Sequence, residues 1–170
     1  MERKNVITFK GSPMTLVGTE VKLGQKAPDA TLTDTNMSSV KLSSYGGKVT
    51  VLSCVPSLDT GVCDIQTRKF NEKAAGLGKD VAILTISMDL PFGQKRWCGA
   101  AGVDKVKTLS DYKGATFADA YGLLIKEWHL LARAVIILDK QQIIRYIQIV
   151  PEISTEPDYD AALKVVKSLL

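Results

Sequence analysis

VTVLSCVPSLDTGVCDIQTRKFNEKAAGLGKDVAILTIS, residues 49–87, decides the fold. Val49 to Val55 is a short apolar run rich in β-branched residues, the pattern of a central strand buried on both faces. Pro56 ends that strand, because proline has no N–H to give to a ladder. Ser57 to Gly61 then reads as a loop that feeds a helix from about Val62 to Ala75, which Gly76 and Gly78 stop. Val81 to Ser87 is a second buried-strand run. Strand, helix and strand in this order predict a parallel βαβ unit and place Cys63 in the first turn of its helix.

The flanking sequence fits the same architecture. Val6 to Phe9 and Met14 to Val17 are extended runs separated by the turn chemistry of Gly11, Ser12 and Pro13, which predicts an N-terminal β-hairpin. A weak strand is expected at Ala30 to Thr33, before the turn at Gly46 and Gly47. Pro91 opens a second helix reaching about Ala101, with Trp97 and Cys98 on it. Val106 to Leu109, Leu131 to Leu138 and Ile143 to Val150 are further strands, the last two joined in a hairpin by Asp139 to Gln142. Ala162, Val165, Val166 and Leu169 recur at helical spacing in a terminal helix over Asp158 to Leu170. The sum is an α/β protein, a central mixed sheet flanked by helices, and its length predicts one domain spanning residues 1–170.

Composition removes several functions. Hydrophobic residues make up 45% and charged residues 24% of the 170, the balance of a soluble globular chain. The 22 basic residues against 18 acidic ones give a net charge of +4 and are scattered, so no nucleic-acid surface is expected. No run approaches the roughly 18 apolar residues of a membrane span. The N-terminal stretch MERKNVITFKG has no apolar core or small-residue cleavage site, which predicts a cytoplasmic protein. Three cysteines, Cys54, Cys63 and Cys98, are an odd number for a disulfide framework. With no CxxC pair and His129 as the single histidine, a closed zinc site is not expected either.

Reactivity is what remains for the cysteines. A free thiol titrates at about 8.5, whereas the dipole and unpaired amides of a helix N-terminus favour the thiolate and bring such cysteines to roughly 3.5 to 7.5. With Thr60 as N-cap, Cys63 is the third helical residue, and the threonine hydroxyl lies beside its sulfur. It then either caps the helix or donates to the thiolate, and Cys63 itself is either a nucleophile or a small buried filler. Arg133 interrupts the apolar run 130–138 and needs a buried anion there, either that thiolate or an Asp or Glu. Cys54, inside an apolar strand with no helix terminus beside it, reads as inert. His129, next to Trp128, has no serine motif around it and reads as a packing or surface residue.

PSLDTGVC (56–63) followed by RKFNE, PFGQKRWC (91–98) and LARAVIILD (131–139) together resemble the thiol peroxidase branch of the peroxiredoxins, in that family's order and spacing and over essentially the whole chain. The resemblance implies a thioredoxin-like fold, reduction of hydroperoxides without a bound cofactor, and a homodimer. Carried over by position, it implies that Cys63 is the peroxidatic cysteine, Thr60 and Arg133 its activating partners, Pro56 the residue shielding the pocket and Cys98 the resolving cysteine. It further implies an intrachain Cys63–Cys98 disulfide reopened by thioredoxin. A thiol-disulfide oxidoreductase on the same fold would carry CxxC, which is missing. A non-catalytic module would have no reason to keep Pro56, Thr60, Cys63 and Arg133 together.

Overall fold

In the computed structural model, which describes residues 1–170, the βαβ unit lies at the centre of a seven-stranded sheet. The elements in chain order are β1 (Glu2–Phe9), β2 (Ser12–Val17), β3 (Thr31–Thr33), β4 (Ser39–Lys41), β5 (Val49–Cys54), α1 (Gly61–Ala74), β6 (Val81–Ser87), α2 (Pro91–Ala101), β7 (Lys107–Ser110), α3 (Thr116–Ala120), β8 (Leu124–Ile125), β9 (Leu130–Leu131), β10 (Ala134–Leu138), β11 (Ile144–Ile149) and α4 (Tyr159–Ser168). The large sheet runs β11-β10-β5-β6-β7-β3-β4. β5, β6 and β7 are parallel, and β10 is antiparallel to both β5 and β11. The chain thus has the mixed α/β, thioredoxin-like architecture expected of it.

The continuous apolar character of β5 follows from its position, because every one of its residues is buried and successive side chains serve opposite faces. Val49 and Val51 join Phe70 of α1 and Ala162 and Val166 of α4. Leu52 and Cys54 point the other way, into a core shared with Phe117 of α3 and with Leu16, Ile125 and Leu131 of a second sheet. β10 divides in the same manner, Val135 and Ile137 to one face and Ala134, Ile136 and Leu138 to the other. A strand covered on both sides has no polar position to reveal its period.

The second sheet, β1-β2-β8-β9, is where the structure corrects the sequence reading. The N-terminal hairpin exists but extends from Glu2 to Val17, longer than its apolar stretches, with an irregularity between Lys4 and Ile7. The strand expected over Leu131 to Leu138 is two strands: β9 pairs with β8 in the small sheet, and β10 belongs to the central one. Ala132 and Arg133 carry the chain across. Their backbones bond to Leu123 and Val150 instead of to a ladder, so the apolar run conceals a change of sheet. β4, β8, β9 and α3 are too short to leave a periodic signal.

Gly18 is the point at which the small sheet closes on α3. Its φ is +109°, and a Cβ placed there would lie 2.9 Å from the Cα of Asp119. The Thr19 amide donates to the Asp119 carbonyl at 2.7 Å, so the two segments are held together at this approach. Gly18→Ala combines a left-handed backbone with overpacking and is expected to lower unfolding stability by roughly 2–4 kcal/mol. Denaturant unfolding measures it, and a change below half a unit would mean that this turn yields freely.

Candidate active site

The loop between β5 and α1 is shaped by one carboxylate from the end of β6. Ser57 Oγ donates to Asp89 Oδ1 at 2.7 Å, and the Leu58 amide donates to Asp89 Oδ2 at 2.8 Å. Ser87 Oγ also donates to Asp89, so three donors fix the carboxylate and the loop it holds. Pro56 is buried directly after β5. Thr60 then takes an extended conformation, φ −97° and ψ 147°, as N-cap of α1, and Cys63 is the third residue of the helix.

The hydroxyl of Thr60 makes no capping bond to the helix backbone. Thr60 Oγ1 instead lies 2.6 Å from Cys63 Sγ and 3.2 Å from the Ser57 carbonyl oxygen. One hydroxyl proton faces two acceptors, which makes the contact a proton switch. When Cys63 is a thiol, its S–H can donate to Thr60 while Thr60 donates to Ser57; when it is a thiolate, Thr60 turns its proton to the sulfur. Each arrangement leaves every polar atom paired.

Arg133 approaches from the crossover between β9 and β10 and is 2% exposed. Its Nε donates to the Ile153 carbonyl at 2.8 Å, Nη1 to Gln66 Oε1 at 3.0 Å and Nη2 to Cys63 Sγ at 3.4 Å. No carboxylate forms an ion pair with it. Gln66 is oriented in turn by donating to Ser53 Oγ of β5 at 2.8 Å. A hydrogen-bonded Asp or Glu partner is therefore not what is found: of the three atoms that accept from Arg133, only the Cys63 sulfur can carry a full negative charge, while the Glu156 carboxylate lies further off, within reach of the guanidinium's field.

A cavity of about 310 Å³ opens in front of this cluster. Thr60, Gly61, Ser154 and Arg133 contribute to its lining, and Pro56, Val62, Leu130, Ile153, Phe9 and Trp128 make it largely apolar. Phe9 and Trp128 meet edge to face with centroids 4.8 Å apart. The hairpin that supplies Phe9 is held by Glu152, which accepts from Thr8 Oγ1, the Lys10 and Gly11 amides and Ser154. Those bonds, Ser154 and Thr8 foremost, keep its carboxyl well below the usual carboxylate range. Sequence reasoning missed Gln66, Phe9, Ile153 and Glu152. Only Gln66 left a trace, as a polar residue on the helix face that α1 buries.

Cys98 lies elsewhere. It is half-buried on α2 with its sulfur 3.6 Å from Thr108 Oγ1, and burial pushes its thiol up from the ordinary value. Its neighbour Trp97 is the residue of α2 that packs against Val55, Leu58 and Cys63. Cys54 is fully buried among core side chains, and burial, then the nearby Asp111 charge, raises its thiol far beyond the range in which it would ionise. All three cysteines are free. His129 stands in the exposed β8–β9 turn with φ +54° and does not line the cavity.

A buried sulfur at a helix start, hydrogen-bonded to a buried arginine and a threonine hydroxyl at the end of a mixed sheet, is an arrangement suited to thiol redox chemistry. Residues 22–163 match the family described as Redoxin. A thiol peroxidase of Bacillus subtilis (strain 168) is 52% identical over 164 residues, 96% of this chain and 98% of the relative. One from Streptococcus pneumoniae (strain ATCC BAA-255 / R6) is 51% identical over 96% of this chain and all of the relative. Among solved structures, a peroxiredoxin-like protein from Aquifex aeolicus superposes with a TM-score of 0.92 at 41% identity, covering 99% of this chain and 98% of that one. A thiol peroxidase from Chromobacterium violaceum, 19% identical with a TM-score of 0.85, shares the fold and covers 95% of each chain. The chain belongs to the Redoxin family, in its thiol peroxidase branch, and is a peroxiredoxin-type oxidoreductase. None of its helices is long and apolar enough to cross a membrane.

Proposed function

We propose that the protein reduces hydrogen peroxide and organic hydroperoxides at Cys63 through a two-cysteine cycle that Cys98 completes. The observation that carries this reading is the Arg133 guanidinium, buried without a carboxylate ion pair and 3.4 Å from Cys63 Sγ. The Cys63 thiolate attacks the terminal peroxide oxygen. The O–O bond breaks, an S–O bond forms, and the leaving oxygen departs as water or an alcohol once protonated, leaving a sulfenic acid. Arg133 and Thr60 stabilise negative charge on the sulfur and on the oxygens as the bond breaks. Pro56 contributes an apolar wall with no N–H, which shields the reacting sulfur from water. The apolar walls of the cavity suit the carbon chain of an organic hydroperoxide.

Cys98 then attacks the oxidised sulfur, forming the S–S bond and releasing the hydroxyl as water. A disulfide needs its Cα atoms within about 7 Å and its sulfurs facing each other, whereas the Cys98 sulfur faces Thr108, so in this reading α2 turns or unwinds to deliver it. A dithiol reductant, thioredoxin in this reading, reopens the bridge by exchange. The same reading takes residues 1–170 as one domain that works without a bound cofactor, as a cytoplasmic homodimer with no nucleic-acid or membrane partner.

Peroxide consumption coupled to thioredoxin oxidation tests the cycle. Cys98→Ser is expected to react once with a stoichiometric amount of peroxide and then stop with Cys63 oxidised, so that steady turnover falls to background while the first oxidation keeps its rate. Mass spectrometry after one equivalent of peroxide reads the trapped species. A Cys54–Cys63 bridge in the intact protein, or sustained thioredoxin-dependent turnover of Cys98→Ser, would remove Cys98 from the cycle.

A further inference from the structure

Trp97, the neighbour of Cys98 on α2, is the residue of that helix that packs toward Cys63. It packs on the cluster that contains Cys63, whereas Cys98, one residue on and so about 100° further round the helix, faces Thr108. As long as α2 keeps this rotation, the indole and not the resolving sulfur is the α2 group packed on the Cys63 cluster.

The indole is strapped to α1. Trp97 Nε1 donates to Asp64 Oδ1 at 3.0 Å, and the other oxygen of the same carboxylate accepts from Arg68 Nε at 2.8 Å. Arg68 Nη1 reaches across to the carbonyl of Ala101 in the last turn of α2 at 3.1 Å, a group with no partner inside its own helix. The guanidinium also lies over the Trp97 ring, 5.6 Å from its centroid. One acidic residue, immediately after Cys63, therefore holds α2 at two places, directly through Trp97 and indirectly through Arg68.

We propose that Asp64 is a positioning residue that sets the rate of disulfide formation by latching Trp97 and, through Arg68, the C-terminal turn of α2 against α1. The proposal rests on the reading of Cys63 and Cys98 as attacking and resolving thiols. The latch makes the sulfenic acid persist. During that interval two reactions compete: Cys98 displaces hydroxide to give the disulfide and water, or a second hydroperoxide loses its terminal oxygen to the sulfenate sulfur and yields a sulfinic acid plus water or alcohol. Weakening the latch shifts the competition toward the disulfide. Because the Asp64 and Arg68 side chains are 31% and 45% exposed, solvent screens their contacts and the effect is moderate.

Rapid mixing with one equivalent of peroxide, followed by quenching with an alkylating reagent and mass analysis, follows sulfenic acid and disulfide separately in the full-length protein. Asp64→Ala is expected to leave sulfenic acid formation within about twofold of wild type and to accelerate disulfide formation about fivefold, with a matching rise in the peroxide dose that half-converts Cys63 to sulfinic acid. Trp97→Phe keeps a ring on the Cys63 cluster but loses the N–H, and is expected to show the same acceleration, which covers the case of poor folding in the first variant. Disulfide formation no faster than wild type in both variants, or easier overoxidation, overturns the latch. Absence of any Cys98-dependent disulfide in the wild-type protein would instead overturn the two-cysteine reading beneath it.

Discussion

Cys63→Ser is expected to abolish peroxide reduction outright, leaving a rate equal to buffer. A serine hydroxyl does not ionise near neutral pH and lacks the polarisable sulfur that attacks an O–O bond. The two remaining thiols cannot substitute, for reasons visible in their surroundings. Cys54 is sealed in the core with its thiol pushed far up by burial, and Cys98 is half-buried with its thiol raised for the same reason. Neither has an arginine within hydrogen-bond reach. Serine Oγ still offers the Arg133 guanidinium an acceptor, so unfolding stability should change by no more than about 1 kcal/mol. Intact mass after one equivalent of peroxide should be unchanged. A variant that still gains one oxygen, or consumes peroxide as fast as the native chain, would place the chemistry on another residue.

How much of this was legible beforehand depends on sequence separation. The βαβ unit and the place of Cys63 in the first turn of α1 are encoded within residues 49–87, where Pro56 and two apolar runs fix the boundaries locally. Thr60 and Cys63 are three residues apart, so their contact follows once the helix start is known, although the hydroxyl serves the sulfur and not the helix cap. Arg133 was detectable because a permanent charge in an apolar run must find an anion. Its role as the crossing point of two sheets was not, since Leu131 to Leu138 reads as one strand when both faces of both segments are covered. The walls of the cavity come from the N-terminal hairpin, the β8–β9 turn and the segment after β11. No local pattern announces that Phe9, Trp128 and Ile153 will meet. Cys98 illustrates the opposite limit: its assignment came through resemblance, and in the fold its sulfur points to Thr108 while Trp97 takes the place next to Cys63.

Arg133→Met is expected to slow the first oxidation of Cys63 by roughly 10²–10³-fold, the loss typical of removing one preorganised donor from a developing negative charge. The three nitrogens of Arg133 have three separate acceptors, the Ile153 carbonyl, Gln66 and the Cys63 sulfur, and the first two hold the fork so that Nη2 meets the third. Arg133→Lys should recover little of the rate, because a single ammonium on a flexible stem cannot span those directions while facing the sulfur. Stability should respond differently. Methionine fills a comparable volume and removes a buried charge that has no carboxylate partner, which favours the fold, while the Ile153 carbonyl and Gln66 Oε1 lose a donor, which opposes it. These terms have opposite signs, so the net change in unfolding free energy should stay within about 2 kcal/mol. Stopped-flow oxidation and denaturant unfolding of the same variant separate the two quantities. A large loss of stability with an unchanged oxidation rate would make Arg133 a structural residue, whereas slow chemistry in a chain of nearly native stability would mean that its charge is retained for the sulfur.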